Sequence, residues 1–518
     1  MCGLLFSTDP RVGRDAFVTA LAMMEHRGPD VPGCYAAHGG AQLGHNRLTI
    51  VDLDARSNQP FYSRDGRYAI VFNGEIYNYR ELIRQHRLTT RTSGDTEVLL
   101  ELYAAHGPRM LPWLNGMFAF VILDLESGDW FAARDRLGVK PLYLVDDGDG
   151  VTLASEIAPL VWLYDRTAID PIGLRQYRKL RAFFNGRTLY RGIGMVPAGH
   201  YLENGRLRRW WELPRGPQTP PSDEELRALV ESAVALRLVA DVPIGSYLSG
   251  GLDSTIVAAL SGRPHTWTVG FAEHNEFEWG RLAAERLHSR HTEVLIDADE
   301  FVTLAAAMVR KRREPLSVPN EVLLYRMTQE VKRRNTVVLS GEGADELFFG
   351  YDRVFRWAAE GAWDLATFAR LYAYGSHDDL EIVEDALAPF RSYGGSLEVV
   401  AAFFQVAHLH GLLRRLDNST MLCGVEARTP FVDYRLVERL AGVSFGYRMQ
   451  KGIVKAPLKR VFADVVPAAI IARAKIGFPV DLDAMPLGGR AGQTSMDRWL
   501  AFNLEELAGE SVGLEEAV

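Results

Sequence analysis

The chain has 518 residues, 47% of them hydrophobic, and its 58 basic and 66 acidic side chains give a net charge of -8. This length exceeds what one hydrophobic core usually supports, so we expect at least two domains, and the near balance of charge argues against nucleic-acid binding through bulk charge. Three cysteines are too few for a disulfide framework, and neither a secretion signal nor an unbroken run of about 18 apolar residues occurs, so we expect a cytoplasmic protein that binds no membrane.

The first notable position is Cys2, directly behind the initiator methionine. Removal of Met1 would leave Cys2 with a free α-amine beside its own thiol. An amine with an ordinary pKa of about 7.7 to 8.0 can accept the proton of a thiol with an ordinary pKa of about 8.5. Cys2 is therefore a candidate nucleophile, although a small residue after the initiator is common and proves little by itself.

The first 211 residues favour a strand-rich domain with two or three helices. Apolar runs such as 68–78 and 117–125 alternate with turn signals, and 94–107 has helical spacing. Four prolines and a glycine interrupt the segment 212–225. We place the domain boundary there.

The pattern changes after the boundary. Ser222 and Glu225 have the spacing of a capping box, and an apolar face at helical spacing follows them. Short apolar runs then alternate with amphipathic segments: the expected strands are 242–248, 266–271, 291–296 and 336–340, and the expected helices are 254–260, 275–289 and 321–334. This alternation predicts a doubly wound parallel sheet, in which ligands bind at the carboxyl ends of strands. From about residue 353 the chain is expected to be mainly helical, and the last part has no assignment.

A glycine turn follows the first of these strands. Ser249, Gly250 and Gly251 precede a helix that we expect to start near Ser254, and such a turn can cradle an anion at a helix N-terminus. Asp253 in the same turn suggests a divalent cation between its carboxylate and a bound phosphate, and Mg²⁺ favours that ligand set. The alternative is an ordinary Gly-rich turn capped by Asp253. The turn matches neither a Walker loop nor a Rossmann fingerprint.

A second acidic loop follows the strand 336–340. Glu342, Asp345 and Glu346 would meet Asp253 at the same edge of the sheet, where these carboxylates would repel each other unless a cation or a basic ligand were present. Lys455 and Lys459 lie in a later helix-like segment. Either could stabilise charge on a transferring group, or both could form a solvated basic face.

With both loops in view, the sequence resembles the glutamine-dependent asparagine synthetase family over roughly residues 1–480. The synthetase blocks that carry the resemblance are SGGLDS, SGEGADE, VEARTPFVDYRLVE, KAPLKRVF and KIGFPV. In the first half they are Cys2, HRGPD, RLTIVDL, FNGEIYN, GDTE, LNGMFAF and ARDRLGVKPLY. Each block is weak alone, and their common order makes chance agreement negligible.

The resemblance implies a mixed α/β and α+β architecture. Residues 1–211 would form an αββα amino-terminal-nucleophile hydrolase domain with glutaminase activity. Residues 222–480 would form a doubly wound parallel-sheet adenylating domain with a helical C-terminal region, and 481–518 a tail of unknown role. Ammonia would pass between the two domains through a tunnel.

In the first domain, the resemblance implies that Cys2 attacks the side-chain amide of glutamine, with Asn73 and Gly74 as the oxyanion hole. Arg47 would bind the α-carboxylate of glutamine and Asp95 its α-ammonium group. The full implied glutamine site is Arg47, Leu48, Ile50, Val51, Asn73, Gly74, Glu75 and Asp95. Without the resemblance, Asn73 and Gly74 could equally form a hairpin turn.

In the second domain, the resemblance implies that a carboxylate attacks the α-phosphate of ATP to give an acyl-adenylate and pyrophosphate. The implied ATP and pyrophosphate site is Leu248, Ser249, Gly250, Gly251, Asp253, Ser254, Val269, Ser340 and Gly341. Asp253 and Asp345 would bind Mg²⁺, and Lys455 would neutralise the phosphoryl transition state. Glu342 would accept a proton during ammonia addition.

Three features depart from the family pattern. Arg313 stands where the family often has an acid before Glu314 and Pro315, HNR replaces HRR before Leu48, and Phe349 replaces a glycine in FFGY. Aspartate is the expected acceptor. A different carboxylic acid, or lactam closure, is the alternative that Arg313 and Phe349 motivate. A sensor without catalysis is a third hypothesis, which the presence of Cys2 and the implied metal ligands disfavours. The expected partners are small molecules, with homodimerisation left open.

Overall fold

The computed structural model describes residues 2–262, 264–361, 363–374, 378–473, 480–488 and 493–509. Most of the KIGFPV block, 475–480, lies outside these residues. Within them the chain forms three sheets and a series of helices, whose bounds follow.

The strands are β1 (Gly3–Ser7), β2 (Val31–His38), β3 (Ala41–Arg47), β4 (Phe61–Tyr62), β5 (Tyr68–Ile76), β6 (Gly116–Asp124), β7 (Trp130–Arg134), β8 (Tyr143–Asp146), β9 (Val151–Ala154), β10 (Gly194–Met195), β11 (His200–Glu203), β12 (Arg206–Arg209), β13 (Ile244–Tyr247), β14 (His265–Gly270), β15 (His291–Leu295), β16 (Val337–Leu339) and β17 (Glu426–Arg428).

The α-helices of the first half are α1 (Arg14–Ala22), α2 (Tyr79–His86), α3 (Asp95–His106), α4 (Ile157–Tyr164) and α5 (Pro171–Leu180). Those of the second half are α6 (Asp223–Arg237), α7 (Leu252–Leu260), α8 (Phe277–Leu287), α9 (Ala298–Arg312), α10 (Asn320–Lys332), α11 (Ala344–Leu347), α12 (Asp352–Ala359), α13 (Leu365–Tyr372), α14 (Leu380–Leu387), α15 (Ser396–Phe403), α16 (Leu409–Met421), α17 (Tyr434–Leu440), α18 (Phe445–Arg448), α19 (Ala456–Val461), α20 (Ala468–Ala472) and α21 (Ser495–Ala508).

The first half is a sandwich of two antiparallel six-stranded sheets, in the orders β10-β8-β9-β1-β3-β2 and β12-β11-β7-β6-β5-β4. The inner faces meet in a core to which β1 contributes Leu4 and Phe6, and β5 contributes Ala69 and Val71. Helices α2 and α3 cover the outer face of the second sheet, and α1 and α4 cover the first. This arrangement confirms the expected αββα sandwich. The expectation of two or three helices was too low, since five are present among the described residues.

The second half contains a five-stranded parallel sheet in the order β15-β14-β13-β16-β17. The order reverses beside β13, so β13 and β16 end next to each other at the crevice where doubly wound sheets bind ligands. All four predicted strands and all three predicted helices are present, with ends that differ by a few residues. Helix α9 and strand β17 were not predicted. Ser222 caps α6 by accepting the Glu225 N–H at 3.1 Å, while the Glu225 carboxylate pairs with Arg439.

One apolar core runs across the predicted domain boundary. Leu48, Met117 and Val139 from the sandwich pack in the same cluster as Leu226 and Val257 from the second half. The first half has cores of its own, and its side chains also share an interior with those of the second half.

Two helical features of the C-terminal part bear on the sequence expectations. The run Ser396–Met421, which joins α15, a π-helical turn and α16, is apolar and long enough to cross a membrane, yet half of its apolar window is buried within the protein. Core helices meet the same length and composition criteria. Helix α21, in the segment without an assignment, begins with a capping box between Thr494 and Asp497 and buries Trp499 completely against α9.

Candidate functional site

A narrow pocket in the first half surrounds Cys2, which lies immediately before β1 and is 7% exposed. The backbone nitrogen of Cys2 donates to Oδ1 of Asn73 at 3.1 Å. The pocket brings together Cys2, Arg47, Leu48, Ile50, Val51, Gly74, Glu75 and Asp95, which were all named from the sequence. It is also lined by Ser57, Gln59, Phe72, Gly94 and Thr96, which were not.

Asn73 and Gly74 lie inside β5, so the hairpin-turn alternative is wrong. Gly74 pairs with Phe118 of β6, and a Cβ at this position would lie 2.1 Å from the carbonyl oxygen of Met117. Only glycine allows this approach between the strands, which keeps Gly74 at the pocket next to Asn73.

The pocket carries one fixed positive and one fixed negative side chain. Arg47, at the end of β3, is held by the carbonyl oxygen of Asp54 at 2.9 Å and by Oδ1 of Asn58 at 2.7 Å. Asp95, the first residue of α3, accepts the Ile76 N–H at 2.7 Å. Burial raises the pKa of Asp95 to about 6, against the hydrogen bonds that lower it. An amino acid would find a partner for each of its α-charges here.

Burial of Cys2 and Glu75 favours the neutral forms of both side chains. Burial raises the pKa of the Cys2 thiol, although the chain's N-terminal charge, the Leu48 backbone and Arg47 oppose this shift. Burial also raises the pKa of Glu75 well above its ordinary value, and the carboxylates of Asp95 and Glu426 add to the effect. A nearby base is therefore needed to ionise Cys2 at neutral pH.

A larger cavity of about 240 Å³ opens at the carboxyl ends of β13, β14 and β16. Its lining includes the sequence-named residues Leu248, Ser249, Gly251, Asp253, Ser254, Ser340, Gly341, Glu342, Asp345, Lys455 and Lys459. It also includes Tyr247, Leu252, Trp267, Thr268, Glu276, Leu324, Met327, Val454, Ile470 and Arg473, none of which was predicted. The two loops therefore meet as their strand order implied.

Two residues of the implied ATP site do not line this cavity, and neither does Glu346 of the second loop. Gly250 has a φ of +71°, and a Cβ there would lie 2.4 Å from the backbone of Trp279, so this glycine closes the turn against α8. Val269 is buried within β14, opposite Val294 of β15. Gly250 and Val269 therefore pack against neighbouring elements and not against the cavity.

Lys455 lies between the two acidic loops. Its ammonium nitrogen is 2.5 Å from Oδ2 of Asp253 and 2.6 Å from Oδ1 of Asp345. Lys455 precedes α19 with a φ of +53°, a left-handed conformation that is rare for a residue with a side chain. Burial lowers the pKa of Lys455, but the two carboxylates outweigh burial and raise it above its ordinary value. The lysine is therefore charged at neutral pH.

Asp253 and Asp345 also provide the donors that Mg²⁺ prefers. Both carboxylates contact the Lys455 ammonium, so they face a common point, which that ammonium occupies. Two carboxylates fit an ion whose remaining ligands are phosphate oxygens and water. Among the described residues no group of three or more His, Cys, Asp or Glu side chains is arranged to hold a metal ion.

The other carboxylates of the second loop have partners that the sequence did not identify. Arg415 of α16 forms an ion pair with Glu342 and donates to Oδ1 of Asn320 at 3.2 Å. Glu346 accepts the Tyr351 hydroxyl at 2.5 Å, and burial, followed by Asp345 and Glu342, raises its pKa to about 8. The repulsion expected among the carboxylates at this edge is therefore relieved by the charges of Lys455 and Arg415 and by protonation of Glu346.

The residues that depart from the family pattern lie outside the cavity lining. Phe349 is 1% exposed, stacks on Phe355 with ring centroids 4.1 Å apart, and has a φ of +56°. The Arg448 guanidinium lies 4.4 Å from the Phe349 ring centroid. Arg313 ends α9 with a left-handed φ of +55°, and its carbonyl oxygen accepts the Tyr190 hydroxyl. Neither the Phe349 ring nor the Arg313 side chain forms part of the cavity wall.

Strand β17 connects the two pockets. Its Arg428 forms an ion pair with Glu426 at 2.5 Å and reaches Oε1 of Glu75 in the Cys2 pocket at 3.6 Å. The carbonyl oxygen of the same residue accepts the Ser340 N–H at 2.9 Å, at the edge of the larger cavity. A single residue thus touches the walls of both pockets.

Comparison with known proteins gives two family matches and relatives that align with most of the chain. The glutamine amidotransferase domain family matches residues 1–211, and the asparagine synthase family matches residues 225–508. A Mycobacterium bovis protein, provisionally named a glutamine-hydrolysing asparagine synthetase, is 31% identical over 93% of this chain and 88% of its own length. Asparagine synthetase 1 of Bacillus subtilis, also named glutamine-hydrolysing, is 28% identical over 89% of this chain and 83% of its own. The solved allosteric regulatory enzyme of purine biosynthesis shares 18% identity, with a TM-score of 0.32 over 48% of this chain and 60% of that one.

Proposed function

Because the chain belongs to the glutamine-hydrolysing asparagine synthetase family, we propose that it transfers glutamine-derived ammonia to the activated side-chain carboxylate of aspartate. ATP is converted to AMP and pyrophosphate in the same cycle. The enzyme class is a carbon–nitrogen ligase with glutamine as amido donor.

In the first half, we assign Cys2 as the nucleophile after removal of Met1. Its α-amine takes the thiol proton, the thiolate attacks the glutamine amide, ammonia leaves, and water hydrolyses the resulting thioester. Asn73 and Gly74 bind the oxyanion. Arg47 and Asp95 hold the α-carboxylate and α-ammonium groups of glutamine, and their positions on the pocket wall support this assignment. Leu48, Ile50, Val51 and Glu75 complete the glutamine site.

In the second half, we assign the turn Ser249–Ser254 to the pyrophosphate part of ATP, and Leu248, Ser340 and Gly341 to its nucleoside. Val269, implied for the nucleoside by the resemblance, is buried in β14 and does not line the cavity. The aspartate carboxylate attacks the α-phosphorus, the bond to the leaving pyrophosphate breaks, and an acyl-adenylate forms. Lys455 donates to the phosphoryl oxygens as negative charge develops. Glu342 accepts a proton when ammonia attacks the acyl carbon and AMP leaves.

We assign Asp253 and Asp345 as the carboxylates that hold Mg²⁺ beside the ATP phosphates. When bound, the ion neutralises phosphate charge. The residues of this chain contribute two anionic donors and, in Lys455, a cation that can turn from these donors to the phosphate. Burial lowers the pKa of Lys459, and the nearby charge of Lys455 lowers it further.

We also propose domains at 1–211 and 222–480 and a cytoplasmic location. The tail, 481–518, is assigned to the second domain up to the end of α21, because α21 packs on α9. Arg313 and Phe349, the two residues that suggested an acceptor other than aspartate, do not line the cavity. We therefore propose aspartate.

The observation that carries the proposal is the contact of Lys455 with Asp253 and Asp345 at the meeting point of the two loops. The test supplies purified protein with ATP, Mg²⁺, aspartate and either glutamine or ammonium chloride, and measures pyrophosphate and asparagine. Cys2→Ala should abolish the glutamine-dependent reaction and retain the ammonia-dependent one. Cys34→Ala, at a half-buried cysteine outside the pocket, is the matched control. Absence of aspartate-dependent pyrophosphate from the parent protein would refute the proposed acceptor.

A further inference from the structure

A third cavity, of about 340 Å³, lies between the sandwich and the helical C-terminal part. The sandwich contributes the segments 183–187, 195–200 and 209–215, and the helical part contributes residues near 390 and 406–410. None of the residues that line it lines the Cys2 pocket or the cavity at Lys455. Neither reaction proposed above uses this space.

The walls of the third cavity are largely aromatic and aliphatic. The apolar residues that line it are Phe183, Phe184, Met195, Val196, Pro197, Ala198, Trp211, Leu213, Pro389, Phe390, Tyr393, Val406 and Ala407. Such walls favour a ligand with a flat apolar body, because aromatic side chains gain from stacking as well as from burial.

The charged residues of this cavity are mainly basic. Arg209 and Arg215 both reach Glu212, at 2.9 Å and 3.5 Å, and Glu212 is the only acidic residue in the lining. Arg134 is buried and donates to the carbonyl oxygens of Lys140 and Val196 at 2.6 Å. These contacts account for every basic lining residue except the histidines and Arg187.

Arg187 has no counter-charge. Its side chain makes no hydrogen bond or ion pair with any residue in the part of the chain that the structure describes, and its Nε is buried without an acceptor. The Arg187 side chain is half-buried, so its terminal nitrogens stay accessible from the cavity while its buried Nε lacks an acceptor. A carboxylate at the cavity would supply the acceptor that Arg187 lacks, and arginine suits a carboxylate because two parallel N–H groups can bind its two oxygens.

We propose that this cavity is a binding site for a small aromatic carboxylate, whose ring packs between Phe184, Trp211 and Phe390 and whose carboxylate pairs with Arg187. The site lies beside His410, on the same helix, α16, that carries Arg415 to Glu342. The ligand is distinct from glutamine, ATP and aspartate, none of which has an aromatic body joined directly to a carboxylate.

The test is isothermal titration calorimetry of the full chain with three probes of similar shape: indole-3-carboxylate, neutral indole and cationic tryptamine. We expect indole-3-carboxylate to bind once per chain, and to bind more tightly than either other probe. Arg187→Gln should weaken it at least tenfold, because the charge-assisted contact is lost. Arg206→Gln, at an exposed arginine of β12 outside the cavity, should bind as the parent does.

Two further measurements locate the site. Saturating ATP with Mg²⁺, and saturating glutamine, should leave the titration unchanged, and Val406→Trp, which fills the cavity, should remove binding. The proposal is overturned if millimolar indole-3-carboxylate gives no heat of binding, if the three probes bind equally, if a substrate displaces the probe, or if Arg187→Gln binds as the parent does. Arg187→Gln decides the matter even if Val406→Trp fails to fold, since Arg187 holds no other described residue in place.

Discussion

Removal of the Lys455 charge is expected to destabilise the contact between the two acidic loops, which carry Asp253 and Asp345. The ammonium group is 2.5 Å from Asp253 and 2.6 Å from Asp345, and the lysine is 5% exposed. In Lys455→Met the two carboxylates would face each other without the cation between them. Breaking a buried ion pair by deleting one partner destabilises by about 3 to 5 kcal/mol, and the remaining like charges place this variant toward the upper value.

The magnitude can be separated from packing by a double-mutant cycle. Asp345→Asn alone leaves Lys455 paired with Asp253 and should cost about 1 to 2 kcal/mol. In the background of Lys455→Met, the same change removes one of two repelling charges and should cost little or stabilise. The coupling energy between the two sites is therefore expected to be about 2 kcal/mol, within the range for contacting residues.

The assay is native-state hydrogen exchange at the amides of Lys459 and Phe462, whose hydrogen bonds to the carbonyl oxygens of Lys455 and Leu458 report the opening of α19. Lys451→Met, at an exposed lysine just before α19, is the matched control and should leave both amides unchanged. Amides of α3, in the sandwich, should not respond to any of these variants.

Two results would refute this reasoning. If Lys455→Met changes the opening free energy by less than about 1 kcal/mol, the two contacts do not stabilise the loops. If the double variant loses the sum of the two single losses, Lys455 acts through its alkyl chain and not through its charge.

Three other changes test separate parts of the molecule. Phe349→Leu should lower the free energy of unfolding by about 1 kcal/mol or more, because packing on Phe355 is lost. It should leave the KM for the acceptor acid unchanged in steady-state assays. A changed KM would mean that Phe349 contributes to the substrate site. Asp95 has a raised pKa of about 6, so its carboxylate is ionised and can bind an ammonium group only when the pH is above about 6. The KM for glutamine should therefore rise about tenfold per pH unit below pH 6, and Asp95→Asn should lose this dependence. A KM that does not change with pH in the parent contradicts the assignment. Glu346 carries a folded-state pKa of about 8, so its contribution to stability is full at low pH and declines as pH rises from about 4.5 to about 8; urea unfolding of Glu346→Gln should lack that decline, and parallel curves would disprove it.

The sequence was most informative where chemistry and backbone geometry coincide. The alternation of strands and helices from residue 222 predicted a parallel sheet, and the carboxyl ends of adjacent strands had to bring Asp253 and Asp345 to one edge. Local pattern is enough in this case because each loop is fixed by the strand that precedes it. The position of Cys2 beside Asn73, which is 71 residues away, was implied instead by the family resemblance.

The residues that were missed approach from distant parts of the chain. Arg415 reaches Glu342 across 73 residues, and Arg473 lines the cavity from the far end of the second half. No local pattern distinguishes such arginines from those on the surface. Strand β17 is three residues long and buries Glu426 and Arg428 as an ion pair, so it lacks the apolar run that marks a strand. Helix α9 could have been found, since Asp297 caps it and Phe301, Ala305 and Met308 recur at helical spacing.

The shared interior of the two halves limits how this protein can be dissected. If the polypeptide were cut within 212–222 and its pieces produced separately, Leu48 and Met117 on one piece, and Leu226 and Val257 on the other, would each lose neighbours that normally shield them from water. Each fragment would expose an apolar face to solvent and would therefore tend to aggregate or to reassociate with the other fragment. Mixing the two fragments is therefore a more faithful way to study either one than producing it alone.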